Sequence, residues 1–273
     1  MLLDCFMFTN EYDILEGRLE YLSPRVDKFI IVESNITHSG KTKRLNFLDN
    51  AERYSKYLHK IFYYPSFFNK DDFDFTIDPN NLANRDTGHW KVENLQRNHI
   101  QNALNFFDEQ DDVLISDLDE IPTKHGIDLA LHYLAPDNPL IGFKQNMFFY
   151  NFKQMQENEC FGTVLCKNKT SKERTPQWIR EQRWGHQIPY IFNGGYHLSY
   201  WGTPESILNK MINMPHQEFN KKRHVLDIDN VRKNIKLGID VHEREENVLI
   251  PVDRNSIEPE VLTAFEKYGI NIE

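Results

Sequence analysis

The stretch Val113-Leu114-Ile115-Ser116-Asp117-Leu118-Asp119-Glu120-Ile121-Pro122 decides the fold of this 273-residue chain. Its apolar run has the length of a buried strand in an α/β sheet. Side chains of an extended chain alternate between two faces, so the pattern predicts that Asp117 and Asp119 point the same way, that Glu120 points elsewhere and that Pro122 ends the strand. Paired carboxylates at the carboxyl end of a buried strand suit a divalent cation with a phosphate-bearing ligand. The stretch therefore predicts a nucleotide-sugar site.

Two other interpretations of the Asp-X-Asp pair are open. The carboxylates of a strand-end turn often cap neighbouring backbone groups and carry no chemistry. An apolar strand followed by Asp-X-Asp also opens phosphatases of the haloacid-dehalogenase type, in which the first Asp is a nucleophile. Those enzymes usually place the motif near the N-terminus and need a later Gly-Asp acidic pair. Gly238-Ile239-Asp240 lacks the neighbours expected of that pair.

The first half of the chain alternates strand and helix patterns. Strands are predicted over 2–8, 28–33 and 60–64, a long polar surface loop over 66–88, and amphipathic helices with Leu15, Leu19 and Leu22 and over 89–107. This order predicts a parallel, doubly wound sheet with ligands at the carboxyl ends of its strands.

The second half contains longer, aromatic strand patterns over 140–152, 163–167 and 190–201. Thr203 and Pro204 begin a helix, and Gly238 and Gly269 end two others. No linker or internal repeat marks a boundary. We therefore predict one domain over 1–273, with a nucleotide-sugar-binding half over about 1–122 and a mixed, acceptor-binding half over about 123–273.

Composition narrows the class of protein. A net charge of −9 argues against an extended nucleic-acid surface, and the 13% aromatic content favours a folded globular chain. Three cysteines without metal-ligand spacing indicate apolar fillers in a reducing compartment. The N-terminus lacks the basic region of a signal peptide, and no segment approaches a membrane span. A cytoplasmic protein is the expectation.

Several blocks in order along the chain resemble glycosyltransferase family 17. The first is Phe8-Thr9-Asn10-Glu11-Tyr12-Asp13-Ile14-Leu15-Glu16-Gly17-Arg18-Leu19, and the others are 26–34, 37–41, 93–98, 116–122 and 194–200. Animal members of this family add N-acetylglucosamine in β1,4 linkage to the core mannose of N-glycans. The resemblance implies a GT-A-like fold with a Rossmann-type, mostly parallel central sheet flanked by helices. It also implies a UDP-sugar donor, a glycan or glycoconjugate acceptor and an inverting mechanism.

The expected metal is Mn²⁺ or Mg²⁺, because a divalent cation stabilises the negative charge that grows on departing UDP. Asp119 is expected to contact the metal directly, and Asp117 to contact it through water or to bind the ribose hydroxyls. His197 is a candidate to complete the shell, since imidazole suits Mn²⁺ better than Mg²⁺. The alternative for His197 is a hydrogen-bonded core residue.

Four further residues are candidates for binding the donor. Arg97 is placed to clamp a phosphate, or else to pair with Glu93 one helical turn away. Lys41 is a candidate for diphosphate contact in a loop that is otherwise solvated. Glu33 follows the second strand, where a base or ribose is commonly held. Glu11 follows the first strand and serves similarly, or only starts the next helix.

Inversion requires a general base that takes the proton of the acceptor hydroxyl. Glu218, in the aromatic segment 214–219, is the first candidate and Asp240 the second. The alternative for both is an ordinary surface acid without a role in catalysis. Two rival functions remain open at this point. One is a phosphatase or nucleotidyltransferase that uses Asp117 and Asp119, and the other is a non-catalytic protein that binds sugar nucleotides.

Overall fold

The centre of the fold is strand β1 (Leu2–Phe8), whose seven residues are all buried. Its side chains alternate between two apolar clusters, with Phe6 and Phe8 in one and Leu3 and Cys5 in the other. A strand covered on both faces is typical of a parallel sheet. The computed structural model describes residues 1–76, 86–185, 187–220, 222–245 and 247–270.

Four parallel strands form the first half of the sheet, in the order β3–β2–β1–β4. Strand β1 pairs with β2 (Lys28–Ser34) on one side and with β4 (Asp112–Ser116) on the other, and β3 (Ile61–Ser66) pairs with β2. This order confirms the predicted parallel, doubly wound arrangement. It also places the carboxyl ends of all four strands at one edge.

The second half of the sheet is mixed, as predicted. Its strands are β5 (Glu120–Pro122), β6 (Leu140–Phe149), β7 (Gln154–Gln156), β8 (Cys160–Lys167), β9 (Tyr190–Ser199) and β10 (Leu249–Pro251). The full order is β10–β7–β6–β8–β4–β1–β2–β3, with β9 parallel to β6 and antiparallel to β5. The α/β fold class is confirmed by this sheet and its flanking helices.

Helices cover the sheet. In the described ranges they are α1 (Tyr12–Leu22), α2 (Asn46–Asp49), α3 (Gly88–Leu104), α4 (Lys124–Tyr133), α5 (Asn168–Glu173), α6 (Pro176–Glu181), α7 (Pro204–Asn213), α8 (Ile228–Leu237) and α9 (Pro259–Phe265). Short 3₁₀ segments include 217–220 and 223–226. In these ranges, none of the helices combines the length and apolar character needed to cross a membrane.

The helix boundaries follow local signals in the sequence. Thr203 caps α7 by accepting a hydrogen bond from Ser206 N (3.2 Å), and Gly238 ends α8 in the left-handed conformation (φ 65°). The apolar side chain of Leu95, on α3, is 38% exposed. The predicted polar loop over 66–88 lies partly outside the described residues.

The prediction of one continuous strand over 113–122 is wrong. Strand β4 ends at Ser116, and the chain turns before β5 begins at Glu120, whose N–H donates to Asp117 O (3.1 Å). Strand β5 then leaves β4 to pair with β9. The period-two argument therefore does not apply to Asp117 and Asp119, which take different partners.

The fully buried guanidinium of Arg18 holds this turn in place. Arg18, on α1, makes a bidentate ion pair with Asp4 of β1 (2.8 and 2.7 Å) and donates to Ser116 Oγ (2.7 Å). Its Nη1 donates to the carbonyl oxygens of Asp117, Leu118 and Glu120 (3.2, 3.0 and 2.7 Å). One side chain thus donates to three backbone carbonyl oxygens between the end of β4 and the start of β5.

We expect Arg18→Met to lower the free energy of unfolding by about 3–5 kcal/mol, because it leaves the Asp4 carboxylate buried without its partner. Arg254→Met is the control, since its ion pair with Glu266 is exposed and we expect its removal to change the free energy of unfolding far less. Urea denaturation of both variants measures the difference. Equal, small losses would contradict a structural role for Arg18.

Candidate active site

A cavity of about 250 Å³ opens at the carboxyl edge of the parallel strands. Residues after β1 and β4 form one side of it, and residues of β9, of α7 and of the segment after α7 form the other. This is the edge at which open α/β sheets bind ligands. The polar residues that line it include Glu11, Asp117, Asp119, His197, Lys210 and His216.

Asp119 lies between two basic side chains. Lys210 Nζ, from α7, donates to Asp119 Oδ2 (2.6 Å), and His197 Nε2, from β9, lies 3.6 Å from Asp119 Oδ1. The other ring nitrogen of His197 lies 3.5 Å from Cys160 Sγ. Burial disfavours the charged carboxylate, but Lys210 and His197 outweigh it and hold the pKa of Asp119 well below its usual range.

Lys210 and His197 respond to the same carboxylate. Burial opposes their charged forms, yet the charge of Asp119 raises the pKa of both side chains above their usual ranges. All three groups line the cavity, so its floor carries a negative carboxylate flanked by positive charge. The two positive groups suit an anionic ligand, and a cation could bind Asp119 only by displacing Lys210 and the proton of His197.

Asp117 is held by arginines. Arg97 Nη2, from α3, donates to Asp117 Oδ1 (3.0 Å), and Arg180 Nη2, from α6, donates to Asp117 Oδ2 (2.5 Å). Desolvation opposes the charge on Asp117, but Arg180 and Arg97 keep the pKa of its carboxyl below the usual range. Arg180 also binds the buried Glu120 (2.5 and 3.0 Å), and Glu120 Oε2 accepts from Asp117 N (2.9 Å). Glu120 therefore belongs to the same network as Asp117.

The segment after α7 carries a histidine and a glutamate in contact. His216 Nδ1 donates to Glu218 Oε1 (2.6 Å). The His216 side chain is 41% exposed and lines the cavity, whereas that of Glu218 is 6% exposed and is not part of the lining. Of this pair, only His216 reaches the cavity directly.

Only some of the residues predicted to bind the sugar donor line the cavity. Glu11 lines the cavity. Glu33 is fully buried outside the lining, where it accepts from Asn46 N (2.6 Å), Phe47 N (3.0 Å), the Tyr63 hydroxyl (3.0 Å) and Lys43. These contacts fasten the start of α2 to the end of β2.

Three other predicted residues also lie outside the lining. Lys41 is exposed in the loop after β2. Arg97 makes the anticipated ion pair with Glu93 (2.5 Å) and contacts the cavity through Glu93 and Asp117, which both line it. Asp240 is buried, where it binds Arg244 (2.9 and 2.6 Å) and accepts from His242 N (2.7 Å). The roles assigned to these residues in catalysis or binding stay predictions.

The family model of glycosyltransferase family 17 matches residues 1–247. The chain belongs to glycosyltransferase family 17. No curated protein is significantly similar to it in sequence. Arg18 lies in the block 8–19, and the acidic turn lies in the block 116–122. The residues that resemble the family therefore include residues that line the cavity of this glycosyltransferase.

Solved structures resemble the chain only distantly. The galactosyltransferase LgtC in complex with donor and acceptor sugar analogs has a TM-score of 0.40 at 11% identity, over 70% of this chain and 73% of that one. The glycosyltransferase GlyE of Streptococcus pneumoniae TIGR4 has a TM-score of 0.34 at 13% identity, over 70% and 45%. A mannose-6-phosphate isomerase of Helicobacter pylori scores 0.34 at 12% identity, over 62% and 71%.

The donor set of the cavity fits a divalent cation that the ligand helps to bind. In the described ranges, no three His, Cys, Asp or Glu side chains form a ready metal site. Asp119 Oδ1 and His197 Nε2 do lie 3.6 Å apart, and two ligands of one cation are separated by about 3–4 Å. Mg²⁺ and Mn²⁺ commonly use one or two protein groups plus phosphates and water. Asp119 and the neutral imidazole of His197 are the groups that could hold such a cation.

Sequence reasoning missed three residues of this site. Lys210 lies six residues into a correctly predicted helix, but nothing in that helix indicates which face meets the acidic turn. Arg180, 2% exposed, also binds the turn from a separate helix. His216 lies in the segment 214–219 together with Glu218. Its separation of two residues from that acid is the sequence signal that indicates a contact between them.

Proposed function

We propose that this glycosyltransferase transfers a sugar, with N-acetylglucosamine as first choice, from a UDP-sugar to a glycan hydroxyl with inversion and with help from Mn²⁺ or Mg²⁺. The observation that carries the proposal is the joint placement of Asp119, His197 and Lys210 in one cavity at the carboxyl edge of the sheet. The choice of donor sugar and the inversion rest on the resemblance to animal family members.

The chain's own groups are suited to a departing diphosphate. A cation bound at Asp119 and His197 would act as a Lewis acid on the phosphate oxygens. Lys210 supplies a further positive charge fixed on α7, only 2.6 Å from Asp119. Fixed charge aimed at a leaving group lowers the barrier because little reorganisation is needed as the negative charge develops.

The geometry disfavours the phosphatase alternative. A haloacid-dehalogenase-type enzyme would use the first carboxylate of the pair, Asp117, as its nucleophile. In this structure both Asp117 oxygens accept hydrogen bonds from arginines, Arg97 and Arg180. A carboxylate clamped in this way is a weak nucleophile, since attack would break two charge-assisted hydrogen bonds.

We expect Asp119→Asn to weaken binding of UDP in the presence of Mn²⁺ by about 100-fold, because it removes the charge that faces both His197 and the cation. Asp117→Asn should have a smaller effect, since its oxygens are already engaged by Arg97 and Arg180. Calorimetric titration with UDP, with Mn²⁺ and then with EDTA, measures both losses.

The control for these titrations is Asp229→Asn, which changes an exposed carboxylate on α8. It should bind UDP like the wild type. If Asp119→Asn keeps wild-type affinity, the metal lies elsewhere. If the wild type binds UDP-N-acetylglucosamine but never releases UDP with any acceptor, the chain is a binding protein and the transferase proposal is rejected.

We expect Lys210→Met to weaken UDP binding by about 10–100-fold and to leave uridine binding unchanged, because only UDP carries the diphosphate. Mn²⁺ alone should bind as tightly as before or more tightly, since a competing cation is gone from Asp119. Lys236→Met, at an exposed position on α8, is the control. Equal losses for UDP and uridine would show that Lys210 does not contact the diphosphate.

A further inference from the structure

An inverting transfer needs a group that removes the proton of the acceptor hydroxyl, and the structure separates the candidates. Glu218, the residue expected from the sequence, has a side chain that is 6% exposed and lies outside the cavity lining. His216 lines the cavity and has an exposed fraction of 41%. Seen from the cavity, the His216 imidazole is therefore accessible and the Glu218 carboxylate is not.

We propose that His216 is the general base of the transfer and that Glu218 positions it; the assignment rests on the proposed function. Nδ1 of His216 donates to Glu218 Oε1 (2.6 Å), which fixes the tautomer and leaves Nε2 as the acceptor of a proton. In this arrangement a buried carboxylate binds one nitrogen of the imidazole, and the other nitrogen faces the reacting hydroxyl. A buried acid orients a histidine base in this way.

Aromatic side chains fix the plane of the His216 ring. Trp90, at the start of α3, meets the ring edge-on with centroids 4.6 Å apart. Phe219 stacks on one face with centroids 5.2 Å apart and an interplanar angle of 18°. With Glu218 holding Nδ1, three contacts restrain the imidazole, and such restraint is what a base needs in order to meet one hydroxyl in one geometry.

The step balances without any further reactant. The acceptor oxygen attacks the anomeric carbon of the donor sugar while Nε2 of His216 takes the hydroxyl proton. The bond from the anomeric carbon to the β-phosphate oxygen breaks, and its electron pair leaves with UDP near Lys210. The imidazolium that forms is stabilised by the Glu218 carboxylate and returns its proton to solvent after UDP departs.

Other titratable groups surround the pair, and they limit what a pH profile can report. Those that line the same cavity include Glu11, His38, Glu93, Asp119, His197 and Lys210, and those on neighbouring elements include His89, His242 and Arg244. Burial lowers the pKa of His89 below its usual range, and burial with Arg244 lowers that of His242 to about 4. Both histidines lie outside the cavity lining, so neither is placed to take the proton of an acceptor hydroxyl.

The test compares His216→Gln and Glu218→Gln by release of UDP from UDP-N-acetylglucosamine with Mn²⁺, with and without a mannoside acceptor. We expect His216→Gln to lower the rate by about 10²–10⁴-fold while UDP affinity stays within about twofold, because a base contributes to the reaction and not to donor binding. Glu218→Gln should lower the rate less.

The pH profile separates a base from a structural residue. The acid limb of the wild-type rate, in the histidine range between about pH 5 and pH 8, should disappear in His216→Gln. In Glu218→Gln the limb should persist, because the imidazole that takes the proton is still present. A limb that persists in His216→Gln and vanishes in Glu218→Gln would make Glu218 the base and overturn the proposal.

His224→Gln is the matched control. His224 also pairs with a glutamate, Glu243 (3.0 Å), but its side chain is 56% exposed and lies outside the cavity lining. It should keep wild-type rate and pH profile. A wild type that neither binds nor releases UDP would reject the proposed function, whereas an active wild type with an equally active His216→Gln would reject this inference alone.

Discussion

The structure depends on one buried guanidinium, that of Arg18. It joins α1 to β1 through Asp4 and holds the turn that follows β4 by three backbone carbonyls. Without it, Asp4 would be a buried charge without its partner, and three carbonyl oxygens of the turn would each lose a hydrogen bond. The interaction therefore couples the core of the sheet to the geometry of the acidic pair, and the position of Asp117 and Asp119 follows from the packing of α1.

The acidic turn is divided between two environments that serve different purposes. Asp117 and Glu120 are bound by arginines from α3 and α6, which makes one side of the turn a rigid support. Asp119 instead faces the cavity with Lys210 and His197, which reach it from the second half of the sheet and from α7. Both carboxylates line the cavity, but they differ in their partners, because Asp117 is held by arginines of the support and Asp119 contacts the lysine and histidine of the opposite side.

Local sequence signals predicted much of the fold and part of the site. The apolar run of β1, the helix cap at Thr203 and the apolar strand before Asp117 act within a few residues, so their structures followed from sequence alone. The break after Ser116 did not, because it is held by Arg18, 98 residues earlier. Lys210 reaches Asp119 across 91 residues, and no periodicity reports such a contact. That His216 lines the cavity and Glu218 does not likewise depends on tertiary packing.

A crystal structure with UDP and Mn²⁺ tests the central claim most directly. The account predicts Mn²⁺ bound to Asp119 and His197, with the diphosphate beside Lys210 and the sugar side of the cavity open toward His216. Mn²⁺ and UDP bound away from Asp119, or UDP bound with Lys210 still paired to Asp119 and no metal present, would contradict it.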